Sequence, residues 1–121
     1  MIRSGPPQDE LTLIAATSLS AALVDAQDYA GCMQFIQENS LLDKAGRLLG
    51  PENVATIYLR RNQARALYSP SGAPLGDVRR AVENLEDVGA ISKRVLGPDH
   101  PGTQKIQKHL DAAREKLAHA E

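Results

Sequence analysis

Two sets of side chains in this 121-residue chain are of types that could do chemistry: three histidines with one cysteine, and a group of arginines and lysines. His100, His109 and His119 stand nine and ten residues apart, so they are not neighbours on a helix face, and no cysteine or carboxylate joins them at ligand spacing. Cys32 has Gly31, Met33 and Phe35 around it, the setting of a small packed residue rather than an activated thiol. As a lone cysteine it has no internal disulfide partner, which fits a reducing, intracellular compartment. Glu83, Glu86 and Asp87 fall among bases on one solvated helix flank, and no Ser/His/Asp arrangement can be recognised, so acid–base and nucleophilic chemistry have no anchor. Gly50 and Gly97 are each followed by proline and suit helix ends rather than a phosphate-cradling loop. The expectation is a non-enzyme with no catalytic residue, no metal and no cofactor.

The basic residues offer binding chemistry instead. Arg60, Arg61 and Arg65 lie in a segment, 53–68, that contains no acid, and Lys105 and Lys108 follow near the C-terminus. From Ser4 to Asp43 the chain carries Asp9, Glu10, Asp25, Asp28, Glu38 and Asp43 with no lysine or arginine, an acidic head before a mildly basic body. The overall formal charge is only −1 and aromatic residues are 3% of the chain, which excludes a general polyanion binder and leaves little to stack on bases. Nucleic acid is not an expected partner.

Positioning such residues falls to helices. Alanine and leucine dominate long stretches unbroken by proline, period-2 alternation is hard to find, and the chain reads as all-α. Residues 1–8, with Ser4, Gly5, Pro6 and Pro7, read as a flexible lead-in before a single domain over 9–121. Helix one runs from Asp9 to about Ala26 with Leu13, Ala16, Leu19, Ala22, Leu23 and Ala26 as its apolar stripe. A turn at Gln27-Asp28 leads to helix two, continuous from Tyr29 to Leu49 and ended by Gly50-Pro51. Asn53 caps helix three, with Ile57, Ala64, Leu67 and Tyr68 as its apolar positions, and 69–74 is the clearest loop and the best candidate for mobility. Helix four spans about 75–96, and helix five follows Pro101 with Ile106, Leu110, Ala113 and Leu117 on one stripe. This makes five helices: a hairpin over 9–50, a second over 51–97 and a capping helix over 98–119. The most apolar stretch, Leu11 to Ala26, is interrupted by Thr12, Thr17, Ser18, Ser20 and Asp25, so no membrane span is expected.

The chain repeats itself. Arg47-Leu48-Leu49-Gly50-Pro51-Glu52-Asn53-Val54-Ala55-Thr56 matches the ten residues from Arg94 to Thr103 at an offset of 47, and a weaker copy begins at Thr12. Periods of this size mark stacked helical hairpins. The run Leu96-Gly97-Pro98-Asp99-His100-Pro101 resembles the linker between tetratricopeptide repeats of the kinesin-light-chain kind. Asp28-Tyr29 and Gly76-Asp77-Val78 match the opening of the second helix of such a repeat, with Cys32 and Ala81 at the small position that follows. Ser20 and Ala64 match the small position of the first helix, while Asn39 and Gln63 and the long 69–74 loop depart from the pattern. The resemblance implies a short right-handed superhelix of antiparallel helical hairpins that binds proteins. The C-terminal helical region of SET-and-MYND-type methyltransferases is similar in style, and a fragment of that kind without activity is an alternative.

In a hairpin stack the first helices of successive repeats line a concave groove, here helices one, three and five. The implied register turns Tyr58, Arg61, Arg65, Lys105 and Lys108 toward it, a surface that suits an acidic or carboxylate-ended segment. Asn62 and Lys105 resemble part of the carboxylate clamp of chaperone-binding tetratricopeptide domains, although Thr17 and Ala21 occupy the first-helix positions. The plainer reading comes first: these are solvated helix faces, or they pair with the acidic head of the same or another chain. Helix one, apolar around much of its circumference, offers a second route, self-association as a homodimer. The expected role is a scaffold or adaptor in the cytoplasm with a protein or peptide partner.

Overall fold

The computed structural model describes residues 8–120, and the side chains from Glu10 onward. The expected flexible lead-in therefore lies outside the described residues, save that Gln8 already belongs to the first helix. Among the described residues there are six α-helices and no strand: α1 Gln8–Asp25, α2 Tyr29–Glu38, α3 Leu41–Leu48, α4 Val54–Tyr68, α5 Leu75–Val95 and α6 Pro101–Ala120. No helix is long and apolar enough to cross a membrane.

The expected single helix over 29–49 is in fact two. Asn39 Nδ2 donates to the carbonyl of Phe35 at 2.9 Å, and Ser40 takes up the left-handed conformation with φ 49°. A short polar side chain that satisfies a helix-end carbonyl competes with continuation of the helix, and the chain turns there before α3 begins. The turn before α2 follows the expected residues: Gln27 has φ 65°, and Asp28 Oδ1 accepts the Gly31 amide at 2.9 Å.

The two linkers agree bond for bond. At the first, the amides of Leu49 and Gly50 donate to the Ala45 carbonyl, the Asn53 amide to that of Gly50, and the Ile57 amide to that of Asn53. At the second, offset by 47, Leu96 and Gly97 donate to Ser92, His100 to Gly97, and Gln104 to His100. Gly50 and Gly97 hold φ 89° and 100°, a region where a Cβ is penalised. Asn53 Oδ1 caps the Ala55 amide and His100 Nδ1 caps that of Gly102, both at 2.9 Å, so the imidazole does the work of the carboxamide. Thr56 and Thr103 donate back to Ala45 and Ser92 in the preceding helix.

Cross-helix bonds set the directions. Thr17 approaches the Ala55 carbonyl and Asp25 pairs with Arg65, so α1 and α4 run the same way; Tyr58 packs on Gly102 and Tyr68 bonds to His109, so α6 does too. Glu52–Arg94 and Arg60–Asp87 run in descending order, as do Ser92–Thr103 and Glu86–Arg114, which makes α5 antiparallel to both α4 and α6.

Helix α4 is the shared wall of two core clusters. Ile57, Ala64 and Leu67 pack with Ala81, Val82, Leu85 and Val88 of α5 and Ile106, Leu110 and Ala113 of α6. Leu59 and Ala66 pack on the other side with Leu13, Ala16 and Val24 of α1, Cys32 and Ile36 of α2, and Leu41 and Ala45 of α3. Fully burying side chains such as Ile57 and Leu59 contributes about 1.5–3 kcal/mol each, and α4 contributes to both sides at once. The small residues Ser20 of α1 and Ala64 of α4 are both fully buried, Ser20 against Asn62 of α4 and Ala64 in the cluster with α5 and α6. The apolar stripe expected of helix one is shifted: Leu13 and Ala16 are buried as expected, but Leu19, Ala22 and Ala26 are exposed, and Thr17, Ser20 and Val24 complete the inner face. Polar Thr17 and Ser20 fit there because each donates its hydroxyl to a carbonyl one turn back in α1.

Candidate functional site

A helix wedged between two cores keeps only partly exposed stripes, and one of them borders a groove. On α4 that stripe is Val54, Tyr58, Arg61 and Arg65, and on α1 Ile14, Ser18, Ala21 and Asp25 recur at the same three- and four-residue steps. Parallel helices with facing stripes make one groove with two parts. An apolar cleft of about 380 Å³ is lined by Ile14, Val54 and Tyr58, with Glu10, Thr17, Ser18, Asn53 and Ala55 around them. A basic cleft of about 290 Å³ follows toward the C-terminal end of α1, where Ala21 and Asp25 meet Arg61 and Arg65 of α4 and Lys105, Lys108 and His109 of α6.

Tyr58 joins the two parts. Its ring packs against Gly102, where any Cβ would meet the Tyr58 hydroxyl and ring, and the Arg61 guanidinium lies 4.6 Å above the ring centroid. Arg61 is held from the other side as well: Nε and Nη2 donate to Asn62 Oδ1 at 3.2 and 3.0 Å. Asn62 itself is fully buried, and its Nδ2 donates to the Thr17 carbonyl at 3.2 Å and to Ser20 Oγ at 2.9 Å. The expected placement of Asn62 on the binding surface is thus corrected: its amide ties α4 to α1 and orients Arg61 from beneath, and it does not face the groove.

Of the six residues singled out from the sequence, Arg61, Arg65, Lys105 and Lys108 converge on the basic cleft, Tyr58 sits at its edge, and Asn62 lies under it. Arg65 Nη2 pairs with Asp25 Oδ1 at 2.9 Å, so the acidic head does neutralise one of the four cations. Among the described residues no carboxylate pairs with Arg61, Lys105 or Lys108. Arg60 turns away to Asp87 on α5 at 2.7 Å, and Glu86 pairs with Arg114 at 2.8 Å, so two acids of that flank are taken up by ion pairs.

His109 was not among the expected site residues. Its Nδ1 is 3.0 Å from the Tyr68 hydroxyl, and burial, then Arg65, Arg61 and Lys105, lower its pKa to about 4. The ring is therefore held neutral at pH 7, and one hydrogen bond joins it to the Tyr68 hydroxyl. Burial and then Arg65 lower the Arg61 pKa, the mark of a guanidinium packed beside a like charge. Both His109, one turn after Lys105, and Asp25, one turn after Ala21, follow from helical spacing once the stripes are known; neither stands out by composition.

The remaining chemistry-bearing groups do not gather. Cys32 is fully buried and burial raises its pKa to about 11, so its thiol is not activated. Among the described residues, no three histidine, cysteine or carboxylate side chains could together hold a metal ion. The loop expected to be mobile is tied down on one side, since Lys116 Nζ donates to the carbonyls of Tyr68 and Pro70. No family model matches the chain, and no curated protein and no solved structure matches it significantly.

Proposed function

We propose that this chain is a non-catalytic protein-interaction module, a short tetratricopeptide-like repeat whose groove along α1, α4 and α6 receives an acidic peptide segment. The observation that carries the reading is the basic cleft itself, where four cations from two helices face one carboxylate. A solvated helix face has no reason to hold an arginine between a tyrosine ring and a buried carboxamide, whereas a binding site gains from a guanidinium whose freedom is already lost. The likeness of the two linkers supports the repeat reading, and the buried, unactivated Cys32 is compatible with a reducing cytoplasmic setting.

The test is a titration of the protein with a glutamate-rich peptide followed by amide and arginine side-chain NMR. Saturable shifts at Arg61 and Lys105 that weaken as salt rises are expected, and the surface variant Lys105→Gln/Lys108→Gln should remove them. Shifts spread evenly over the basic surface, indifferent to that variant, would sink the reading.

A second reading rests on a different observation. Leu11, Ile14 and Leu19 of α1 remain 52%, 47% and 48% exposed, and self-association through α1 would cover this apolar surface. Sedimentation equilibrium decides: a mass that rises with concentration in the native chain and stays monomeric in Leu19→Glu supports it, and a strict monomer removes it.

A further inference from the structure

Resting on the reading of the groove as a site for an acidic segment, we propose that the basic cleft is built for a phosphoryl group, carried on a phosphoserine or phosphothreonine of that segment. A simple carboxylate is already present. Asp25 reaches in from α1 and holds Arg65 at 2.9 Å, so a ligand carboxylate would contend with an internal one for the same guanidinium and bring no more charge than it displaces. What stays unmet lies on the other side of the cleft: Arg61, Lys105 and Lys108 have no carboxylate partner among the described residues. Four cations against Asp25, with His109 neutral, leave a net of three positive charges in a cleft of about 290 Å³. One carboxylate reduces that to two, and a phosphate dianion reduces it to one.

Geometry favours the same choice. The cations arrive from two walls, Arg61 and Arg65 one turn apart on α4, and Lys105 and Lys108 one turn apart on α6. Donors converging from separate directions suit a tetrahedral group with three accepting oxygens better than a planar carboxylate, which one bidentate arginine can satisfy. Arg61 is fitted for this task. Nε and Nη2 engage Asn62 and the ring of Tyr58 lies beneath, so the donors that remain are on Nη1 and the free edge of Nη2. The neutral His109, bonded to Tyr68, adds a polar edge without a further charge, its pKa lowered by burial first and then by the surrounding cations.

The experiment uses the full chain at pH 7.5 and low salt with four probes: an acetylated pentapeptide with a central phosphoserine between alanines, its glutamate and serine counterparts, and inorganic phosphate. The phosphoserine peptide should bind about tenfold or more tighter than the glutamate peptide, with the serine peptide inert and inorganic phosphate much weaker than the phosphopeptide. Lys105→Gln/Lys108→Gln, which changes exposed side chains only, should erase that preference, while Lys93→Gln on α5 should leave it intact. A glutamate peptide that binds within about threefold of the phosphopeptide overturns the phosphoryl assignment and leaves the acidic-segment reading standing. Inorganic phosphate binding as tightly as the phosphopeptide overturns it too, since the cleft would then hold an anion rather than a modified segment. If no probe gives saturable, salt-sensitive binding, the assignment and the groove reading fall together.

Discussion

Asn62 receives both Nε and Nη2 of Arg61 on its side-chain oxygen, at 3.2 and 3.0 Å, while its own amide nitrogen reaches across to the Thr17 carbonyl and Ser20 Oγ of α1. One fully buried carboxamide thus links the packing of α1 on α4 to the aim of the cleft's most constrained cation. Removing it should act on both. In Asn62→Ala the Thr17 carbonyl loses a partner and a cavity opens, and a cost of about 1–3 kcal/mol is expected in urea unfolding. In the folded fraction, the Arg61 Nε–H signal should broaden or move as its acceptor disappears; an unchanged Arg61 resonance would show that Asn62 serves packing alone.

His109 predicts a pH dependence with a definite sign. Its pKa is about 4 when folded against about 6.5 when unfolded, so between those values the unfolded chain binds more protons. The stability that comes from keeping the ring neutral is complete above about pH 6.5 and is lost as pH falls toward about 4. The groups that face the ring are Tyr68, Arg65, Arg61, Lys105 and Asp25, so the comparison must hold them constant. Native protein and His109→Gln, unfolded by urea at a series of pH values from 7 to 4, should differ in slope over that window, with the variant flatter; parallel curves would refute the shift.

The bond-for-bond likeness of the linkers predicts that they fail alike. Gly50→Ala and Gly97→Ala each force a Cβ into positive φ, and each should lower stability by about 1–2 kcal/mol. Neither Cβ would meet a neighbour, so the cost is conformational and the two values should agree closely in thermal unfolding. A large difference between them would mean that the linkers are alike in geometry but not in energy.

Gly102 is required for a different reason, space. A methyl group there meets the Tyr58 hydroxyl and ring, so Gly102→Ala should displace Tyr58 and with it the surface under Arg61. Reduced tyrosine ring-current shifts at Arg61, with helix content unchanged by circular dichroism, are the expected signature.

Lys116 donates to the carbonyls of Tyr68 and Pro70, at the end of α4 and the start of the loop that follows. Lys116→Met keeps the aliphatic stem and removes the donor. Cleavage within 69–74 during limited proteolysis should become several-fold faster, with little change at the 39–40 break as an internal control.

Much of the fold was legible because it rests on local signals. Gly-Pro after an apolar helix end, Asn53 and His100 before the next helix, and three- and four-residue apolar spacing on α5 and α6 each act within a turn or two of chain. The break at Asn39–Ser40 was equally local, but the apolar pattern runs straight through it from Ile36 to Leu41 and hid the polar signal. Helix α1 misled for another reason. With apolar residues on several sides, its sequence allows more than one inner face, and Ser20 lies inward where its hydroxyl accepts from the buried Asn62 of α4, while Leu19 and Ala22 stay exposed.

The basic cleft divides along the same line. That the arginines of 53–68 lie in a helical segment without acids, and that Lys105 and Lys108 follow on a later helix, is a property of the chain alone, because composition and helical spacing suffice to state it. Which of them meet is not. Arg60 differs from Arg61 by one position and ends on the opposite side with Asp87, Asn62 is buried rather than presented, and Asp25 and His109 enter the cleft from α1 and α6. Those placements follow from the wedging of α4 between two cores, a packing outcome that joins residues some 40 positions apart, such as Asp25 with Arg65 and Tyr68 with His109. No local pattern encodes such a separation, so only the tertiary structure could decide it.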